Sequence, residues 1–523
     1  MSIDITTKGS PGWWLKKCSD KLAERRKRID PLYDRYEGKA QMPPELRSAP
    51  EPAQRFFRTS RTNFEEMIVR AVRYRMKVTG ILTSTTSDEA DAEAFRRWRT
   101  SGMQTEQHDI HRNLLVAGDG YALCAKHEGV VAATSEDPRQ VVTIHDPVRQ
   151  SVVRASAKLF HDPDEGKNFA YLYRDGRRWV AVKERKAAAA VRFSAGWDWS
   201  DDHGGAAGEE IPVAQPVVRY RNEEGVGEFE RHLDILDRIN HLVLQGIVIA
   251  TLQAFKQRAI KADDDDLPEE DPETGQKIDY NEVFLADPGA LWQLPASAEM
   301  WESGAVDLTP ITMMATKEIE RLSAVTFTPL SMFTPEAANQ SATGASLVKE
   351  GLTTKVEDKQ ARSGESHAAV LRLLWEIDGG TEVPDDLRVR WAPAERYSLS
   401  EKADAGPKAK AAGMPWRTLM REVWQMEPED IARMESERLD DALLLSTMEP
   451  EAPAAVPSAD TDTAAPSLQA DGSSAQDAKL RADTLGALVR AGVDPTQAAD
   501  RTGYSGVRFT REPVAVRDPK EEQ

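Results

Sequence analysis

Cysteine is nearly absent from this sequence: its 523 residues include two, Cys18 and Cys124. They lie far apart, and neither belongs to a Cys-x-x-Cys pair. The sequence therefore provides neither a disulfide framework nor the ligands of a zinc ribbon. Such sparse cysteine is typical of a protein that assembles in a reducing cytoplasm.

Long hydrophobic runs are also lacking. The longest apolar stretch, Leu242 to Ala254, is interrupted by Gln245 and Gln253 and is too short to span a bilayer. Residues 1–11 do not combine a basic region with an apolar one, as a signal peptide would. We therefore expect a soluble chain that is not exported and has no membrane partner.

Positive charge is scarce, because 68 Lys and Arg residues stand against 87 Asp and Glu residues, for a net charge of −19. A protein that grips nucleic acid with its outer surface by releasing counterions needs clustered Lys and Arg. The balance argues against that binding mode, so any contact with DNA has to be loose.

Catalytic and metal-binding motifs are lacking as well. No P-loop occurs, which argues against a packaging ATPase. The four acids Asp263 to Asp266 point in different directions, and His108 and His111 have no further ligands to complete a metal site. Gly118-Asp119-Gly120 lacks the rest of a phosphate loop and predicts a helix-to-strand turn. We expect no enzyme, no catalytic residue, no metal and no cofactor.

Two alternatives belong to other functional classes. A metal-dependent nuclease would need a convergent carboxylate or histidine constellation, which the sequence does not reveal. A DNA-binding regulator could use the C-terminal helices between Leu485 and Tyr504. Their basic face is limited to Arg490 and Arg501, which favours a packing module instead.

The front of the chain has helical periodicity, and a β-rich segment follows. Apolar residues recur at helical spacing over residues 13–36, 61–78 and 88–115. From Tyr121 to Val191 the pattern changes to short β runs, and Asp175-Gly176 predicts a two-residue hairpin between two of them.

Long helices dominate the second half. Residues 228–261 predict a helix of about 50 Å at 1.5 Å per residue. The acidic, proline-containing stretch after it predicts an irregular region, followed by helices over 309–324 and 345–377.

Further helices are predicted over residues 398–412 and 416–446. An Ala/Pro/Ser-rich tract after 449 has too little apolar surface to order itself. The fold class is therefore α+β, mainly helical.

Five short motifs follow one another along the chain. They are Tyr33-x-x-Tyr36-x-Gly38; Asn63 leading to Arg73 and Val78-Thr79-Gly80; Gly118-Asp119-Gly120-Tyr121-Ala122-Leu123; Asp237-x-x-Asn240 with Ala254-Phe255-x-x-Arg258; and Gly289-Ala290-Leu291-Trp292-x-Leu294-Pro295. With the order of the elements, they resemble the portal proteins of long-tailed, siphovirus-type bacteriophages over residues 13 to about 446.

The resemblance implies a portal-type division into wing, stem, clip and crown. Its regions are a wing at 1–227 with a β-rich part at 121–191, a first stem helix at 228–261, a clip at 262–307, a return stem helix at 308–327, a channel loop at 328–344, a long upper helix with the wing return at 345–392, a helical crown at 393–448, a disordered linker at 449–477 and a small C-terminal helical segment at 478–523.

The same resemblance implies a structural role and a set of partners. Copies of the chain, twelve by expectation, would form a ring at one capsid vertex of the virion after assembly in the host cytoplasm. Double-stranded DNA would pass through the ring during packaging and ejection. The expected protein partners are terminase, the major capsid protein and a head-tail adaptor.

Two groups of residues are candidates for contact with these partners. The expected DNA-channel loop residues are Thr334, Glu336, Asn339, Gln340, Ser341 and Thr343. This loop is small and polar, which suits passing contact with a DNA backbone. Trp292 and Trp301 in the clip either anchor the adaptor or pack in a core.

Overall fold

The structure is a computed structural model. It describes residues 3–39, 48, 51–83, 88–184, 190–254, 258–261, 270, 273–278, 297, 299–302, 304, 306–334, 342–380, 383–384, 386–395 and 397–447. The chain divides into two compact units, Met1–Leu444 and Leu445–Gln523, and residues 445–447 are the described part of the second. The predicted linker and C-terminal segment lie outside the described residues.

Helices form the front of the chain. They are α1 (Pro11–Tyr36), α2 (Glu51–Ser60) and α3 (Phe64–Arg73), followed by strand β1 (Val78–Leu82) and by α4 (Asp88–Thr100) and α5 (Met103–Ala117). The Ser10 hydroxyl caps α1 by accepting from the Trp13 amide, and Pro11 occupies the first turn. Gly102, at φ +86°, separates α4 from α5, where the sequence predicted one helical stretch.

The β-rich segment forms two antiparallel sheets. Its strands are β2 (Asp119–His127), β3 (Val130–Glu136), β4 (Val141–His145), β5 (Val153–Asp162), β6 (Lys167–Arg174), β7 (Arg177–Glu184), β8 (Asp198–Trp199), β9 (Glu209–Glu210) and β10 (Val217–Arg221). One sheet has the order β10-β2-β3. The other runs β4-β5-β6-β7-β8, with β9 also paired to β7.

The hairpin predicted at Asp175-Gly176 is confirmed. Arg174 pairs with Arg177, and the two turn residues have φ values of +49° and +74°. Both angles are positive, as a two-residue hairpin turn of type I′ requires.

Two long helices with a strand pair between them come next. They are α6 (Leu233–Ala254), β11 (Arg258–Lys261), β12 (Glu299–Glu302) and α7 (Thr309–Thr326). The predicted helix from 228 to 261 is therefore too long at both ends. Phe229 is buried in the core before the helix begins, and residues 258–261 pair with β12 instead of continuing the helix.

The rest of the described chain is mostly helical. It comprises α8 (Leu330–Phe333), α9 (Ala342–Ile377), strand β13 (Arg388–Trp391), α10 (Leu399–Ala411), α11 (Trp416–Glu422) and α12 (Pro428–Thr447). Strand β13 pairs with β1 from the front of the chain. The elements confirm an α+β fold that is mainly helical.

Two hydrophobic clusters hold these elements together. The larger one joins α3, α4 and α5 to α9 through residues such as Ile68, Trp98, Leu114 and Leu371. The smaller cluster packs the first half of α1 against the larger sheet, with Leu15 fully buried. The long helix α9 is thus fixed to the front of the chain along its second half.

Candidate functional site

Helices α6 and α7 lie side by side and antiparallel. Arg238 pairs with Glu318 at 2.9 Å, and further along α6 the Gln253 amide donates to the Val306 carbonyl at 2.8 Å. Between these contacts a Cβ built on Gly246 would lie 3.8 Å from Ile311. Because positions on α7 fall as those on α6 rise, the two chains run in opposite directions.

The helix pair leaves apolar side chains incompletely covered. Six side chains of α6 are only half-buried, namely Leu242, Val243, Leu244, Ile247, Val248 and Ile249. On α7, Met313 is 60% exposed and Met314 is 57% exposed, and Met313 borders an open groove of about 600 Å³. Exposed apolar side chains that lie close together commonly mark a site of protein–protein contact, so this pair presents surface that suits a protein neighbour.

The chain leaves α7 through residues 323–328, named here the loop root. The Ser323 hydroxyl donates to the Thr328 carbonyl at 2.7 Å, and the Thr326 hydroxyl donates to the Leu322 carbonyl at 2.7 Å. Thr326 and Thr328 are buried. Phe327 between them has φ +52°, in the left-handed region that L-residues rarely adopt.

A buried ionic cluster lies beside the loop root. Lys355 of α9 contacts the carboxylate of Glu228 at 2.6 Å and also donates to the Thr326 carbonyl at 3.1 Å. Lys359, one turn further along α9, lies 3.5 Å from the same carboxylate. Burial acts to raise the pKa of Glu228, but the two lysines outweigh it and hold that pKa below its usual value. Glu228 is therefore ionised and ties the segment that precedes α6 to α9.

Aromatic contacts fix both sides of the short helix α8. The ring of Phe327 lies over Gly351 of α9, where an added Cβ would be 2.6 Å from the ring. Phe333 packs edge-on against Phe64 of α3, with ring centroids 5.2 Å apart. The chain entering the predicted channel loop is thus held by α9 and by α3.

The structure places some of the predicted contact residues. Thr334 is half-buried and its hydroxyl donates to the Leu330 carbonyl at 3.3 Å, while Thr343 lies in the first turn of α9. Trp301 lies on β12 and is 58% exposed. The other predicted residues lie outside the described part: Trp292, Glu336, Asn339, Gln340 and Ser341.

A histidine pair that sequence reasoning missed lies in the main core. His111 had been considered with His108, yet its Nε2 lies 2.9 Å from Nε2 of His367, and Nδ1 of His367 lies 2.8 Å from the Tyr220 hydroxyl. At that distance one ring donates and the other accepts, so the Nε2 of the accepting ring carries no proton. Burial lowers the pKa of His111 to about 3 and also lowers the pKa of His367 well below its usual value.

The His111–His367 pair joins residues that are 256 positions apart in sequence. Only the fold brings them together, so local spacing provided no signal. Throughout the part of the chain that the structure describes, no three His, Cys, Asp or Glu side chains come together as metal ligands would. Within the same part, every helix is too short or too polar to cross a membrane.

The sequence matches a known family along most of its length. The family model described as phage portal protein, SPP1 Gp6-like, matches residues 15–442. The chain belongs to this portal family. A portal protein of Mycobacterium phage D29 is similar to this portal family member, with 23% identity over 386 residues that cover 72% of the chain and 77% of the relative.

Solved structures of gene transfer agent particles also resemble this portal family member. A chain from the virion of a native particle is 11% identical and covers 75% of this chain and 98% of its own, with a TM-score of 0.38. One from the native particle neck, computed with C12 symmetry, is 12% identical and covers 72% and 93%, with a TM-score of 0.40. Both scores are low, and the family assignment rests on the sequence match.

The family assignment makes the chain a structural portal subunit. Three parts of the structure are relevant to this role: the helix pair, the loop root and the buried ionic cluster. In the buried ionic cluster, Glu228 is paired with Lys355 and Lys359, and Lys355 also holds the loop root through the Thr326 carbonyl.

Proposed function

We propose that twelve copies of this portal subunit form a closed ring whose axis is a channel for double-stranded DNA. The ring would lie at one capsid vertex of the virion, having assembled in the host cytoplasm. DNA would pass through it during genome packaging and ejection. The subunit would act as a conduit without catalysis, and the energy for movement would come from a separate terminase.

The observation that carries this proposal is the incompletely covered helix pair. In a single copy, the six half-buried side chains of α6 and the exposed Met313 and Met314 of α7 remain in contact with water. Burying apolar surface stabilises an assembly by about 25 cal/mol for each Å² removed from water. Head-to-tail packing of one pair on the next would remove that surface and, if the rotation closes, generate a ring.

The charge of the chain fits the passage of DNA. Each copy carries −19 at neutral pH, and a ring multiplies that charge by its copy number. Lysine and arginine clusters hold a polyanion by releasing its counterions, which would trap DNA in a channel. A ring of acidic subunits keeps contacts with the duplex weak and short-lived.

The segment 328–344 is the proposed channel loop. It connects the return helix α7 to the long helix α9, and its start is held by the loop root. We assign passing contact with the DNA backbone to Thr334, Glu336, Asn339, Gln340, Ser341 and Thr343. Small polar side chains suit this contact because they offer no fixed positive charge for a phosphate.

Contacts with other virion proteins complete the proposal. The exposed Trp301, together with Trp292, is assigned to the head-tail adaptor, because exposed tryptophans concentrate binding energy at protein interfaces. Terminase and the major capsid protein would contact other surfaces of the ring.

The ring contact is tested by placing charge on the exposed face of α7. We expect the double variant Met313→Glu and Met314→Glu to remain folded but to lose most of its rings, because the subunit contact would bury unpaired carboxylates against an apolar neighbour. The matched control is Val148→Glu, since Val148 is 88% exposed and lies away from the helix pair in a turn of the β-rich segment. Mass photometry of the three purified proteins measures the outcome. Equal ring fractions in all three would remove α7 from the subunit contact.

A further inference from the structure

We propose that Phe327, Gly351 and Lys355 position the channel loop by fixing the direction in which the chain leaves α7. The inference rests on the proposed function, because it concerns how the loop is held inside the DNA channel. All three residues lie in the described part of the chain, next to the predicted loop and outside its DNA-contacting residues.

The first support is the backbone conformation at Phe327. A positive φ of 52° is uncommon for a residue with a bulky side chain, and such conformations persist only where surrounding contacts impose them. Glycine would adopt this angle without strain. The aromatic side chain therefore has to contribute something that offsets the unfavourable backbone.

The second support is what the Phe327 ring touches. It lies against Gly351 so closely that a methyl group there would meet the ring Cδ1 at 2.6 Å. The ring is nevertheless 51% exposed, so its burial alone is a weak reason for the strained backbone. The contact instead fixes where the loop root lies along α9, since a side chain at Gly351 would meet the ring.

The third support is Lys355, one turn further along α9. Its ammonium group donates to the carbonyl of Thr326, the last residue of α7, where helix carbonyls have no partner within the helix. The same ammonium group contacts the buried carboxylate of Glu228. One side chain thus joins the end of α7, the segment that precedes α6 and the long helix α9. Displacement of the loop root would separate these partners.

Together these contacts hold the loop root from two sides. Phe327 is seated on α9 by its ring, and Thr326 is held by Lys355 through its carbonyl. The buried Thr328, whose carbonyl accepts from Ser323, closes the turn between them. A loop that leaves a fixed root enters the channel at the same height in every copy, which a symmetric constriction around DNA requires.

The experiment uses Gly351→Ala in the full chain. Alanine favours a helix more than glycine does, so α9 itself is not weakened, but the new methyl group pushes the Phe327 ring off its seat. We expect normal rings by microscopy and severalfold less DNA per head when the variant complements a phage that lacks its own copy. The matched control is Gly364→Ala on the same helix, where the nearest atom is 3.5 Å away, and it should package normally.

A second substitution tests whether the clash is the cause. Phe327→Gly removes the ring and suits the positive φ. The double variant Phe327→Gly and Gly351→Ala should therefore package as much DNA per head as Phe327→Gly alone. Normal packaging by Gly351→Ala would overturn the inference. So would a double variant that packages less DNA than Phe327→Gly alone.

Lys355→Met covers the case in which Gly351→Ala forms no rings. That variant keeps Lys359 beside Glu228 and loses the hydrogen bond to the loop root. Intact rings with reduced DNA per head support the inference, and intact rings with normal DNA contradict it. Failure of the unsubstituted chain to form rings would instead count against the proposed function.

Discussion

Gly118 shows how a single residue can determine a junction between elements. It ends α5 at φ +80°, immediately before β2 begins. A Cβ built there would lie 2.1 Å from the Gly225 carbonyl oxygen, which is backbone and cannot rotate away. Both the angle and the space therefore require glycine.

We predict that Gly118→Ala lowers the free energy of unfolding by about 2 to 5 kcal/mol, because it combines backbone strain with overpacking. Gly129→Ala is the matched control. Its φ is +85° but no atom lies within 4 Å of the added Cβ, so it carries the strain alone, about 1 to 2 kcal/mol. Urea denaturation of both variants measures the difference, and equal losses would show that crowding at Gly225 is unimportant.

The sequence predicted this turn correctly, because the spacing of glycines between a helical and a β pattern is local information. It could not predict the residue-scale details of the loop root. The seat of Phe327 on Gly351 depends on two helices meeting, and neither residue has a neighbour in sequence that indicates it. The same holds for Lys355, which resembles any other helical lysine until Glu228 is placed beside it.

At the scale of elements, the buried histidines join α5 to α9. His111 comes from α5 and His367 from α9, and Tyr220 of β10 contacts the second ring. The titratable and charged groups that influence them include His108 and Arg73 on the side of His111. Protonating the accepting ring at its Nε2 would place two N–H groups against each other, so the contact requires that this ring be neutral.

We predict that this contact makes folding sensitive to acid. Because the pKa of each buried ring is lower in the folded chain than the unfolded value of about 6.5, the unfolded chain binds more protons below that pH. The stabilisation is complete above about pH 6.5, and the part due to His111 falls by about 1.4 kcal/mol per pH unit as the pH drops toward 3. His367 adds a loss in the same direction, because burial lowers its pKa as well.

The measurement is the urea midpoint of the full chain between pH 7.5 and pH 5. His367→Gln removes one titrating ring and is expected to lose stability less steeply than the unsubstituted chain over this range. Parallel curves for the two proteins would show that the pair does not couple folding to pH.

Periodicity predicted the elements far better than it predicted their ends. The helix starting near residue 13, the hairpin at Asp175-Gly176 and the long helix up to Ile377 are all present. Strands β1 and β13 were not predicted, because they pair residues about 300 positions apart and each is only a few residues long. Periodicity predicted helix for residues 258–261, which form a strand. Their conformation depends on pairing with residues 299–302, and local spacing does not reveal that pairing.

At the scale of the whole molecule, the account depends on surface that one copy cannot bury. The helix pair formed by α6 and α7 leaves apolar side chains incompletely covered, among them the exposed Met313 and Met314, while the chain as a whole is strongly acidic. The order of the elements and five short motifs resembled the portal family, and the family match over residues 15–442 confirmed that resemblance. How subunits pack on each other is not contained in the order of elements, because it depends on the shape of two surfaces at once.

Single-particle electron microscopy of the purified full-length chain tests the central claim most directly. We predict closed rings of twelve subunits, with the α6–α7 pair of each subunit packed against the next and an axial opening wide enough for a DNA duplex. Particles that remain monomeric at micromolar concentration and physiological salt, or rings whose axis is closed to DNA, would contradict the account.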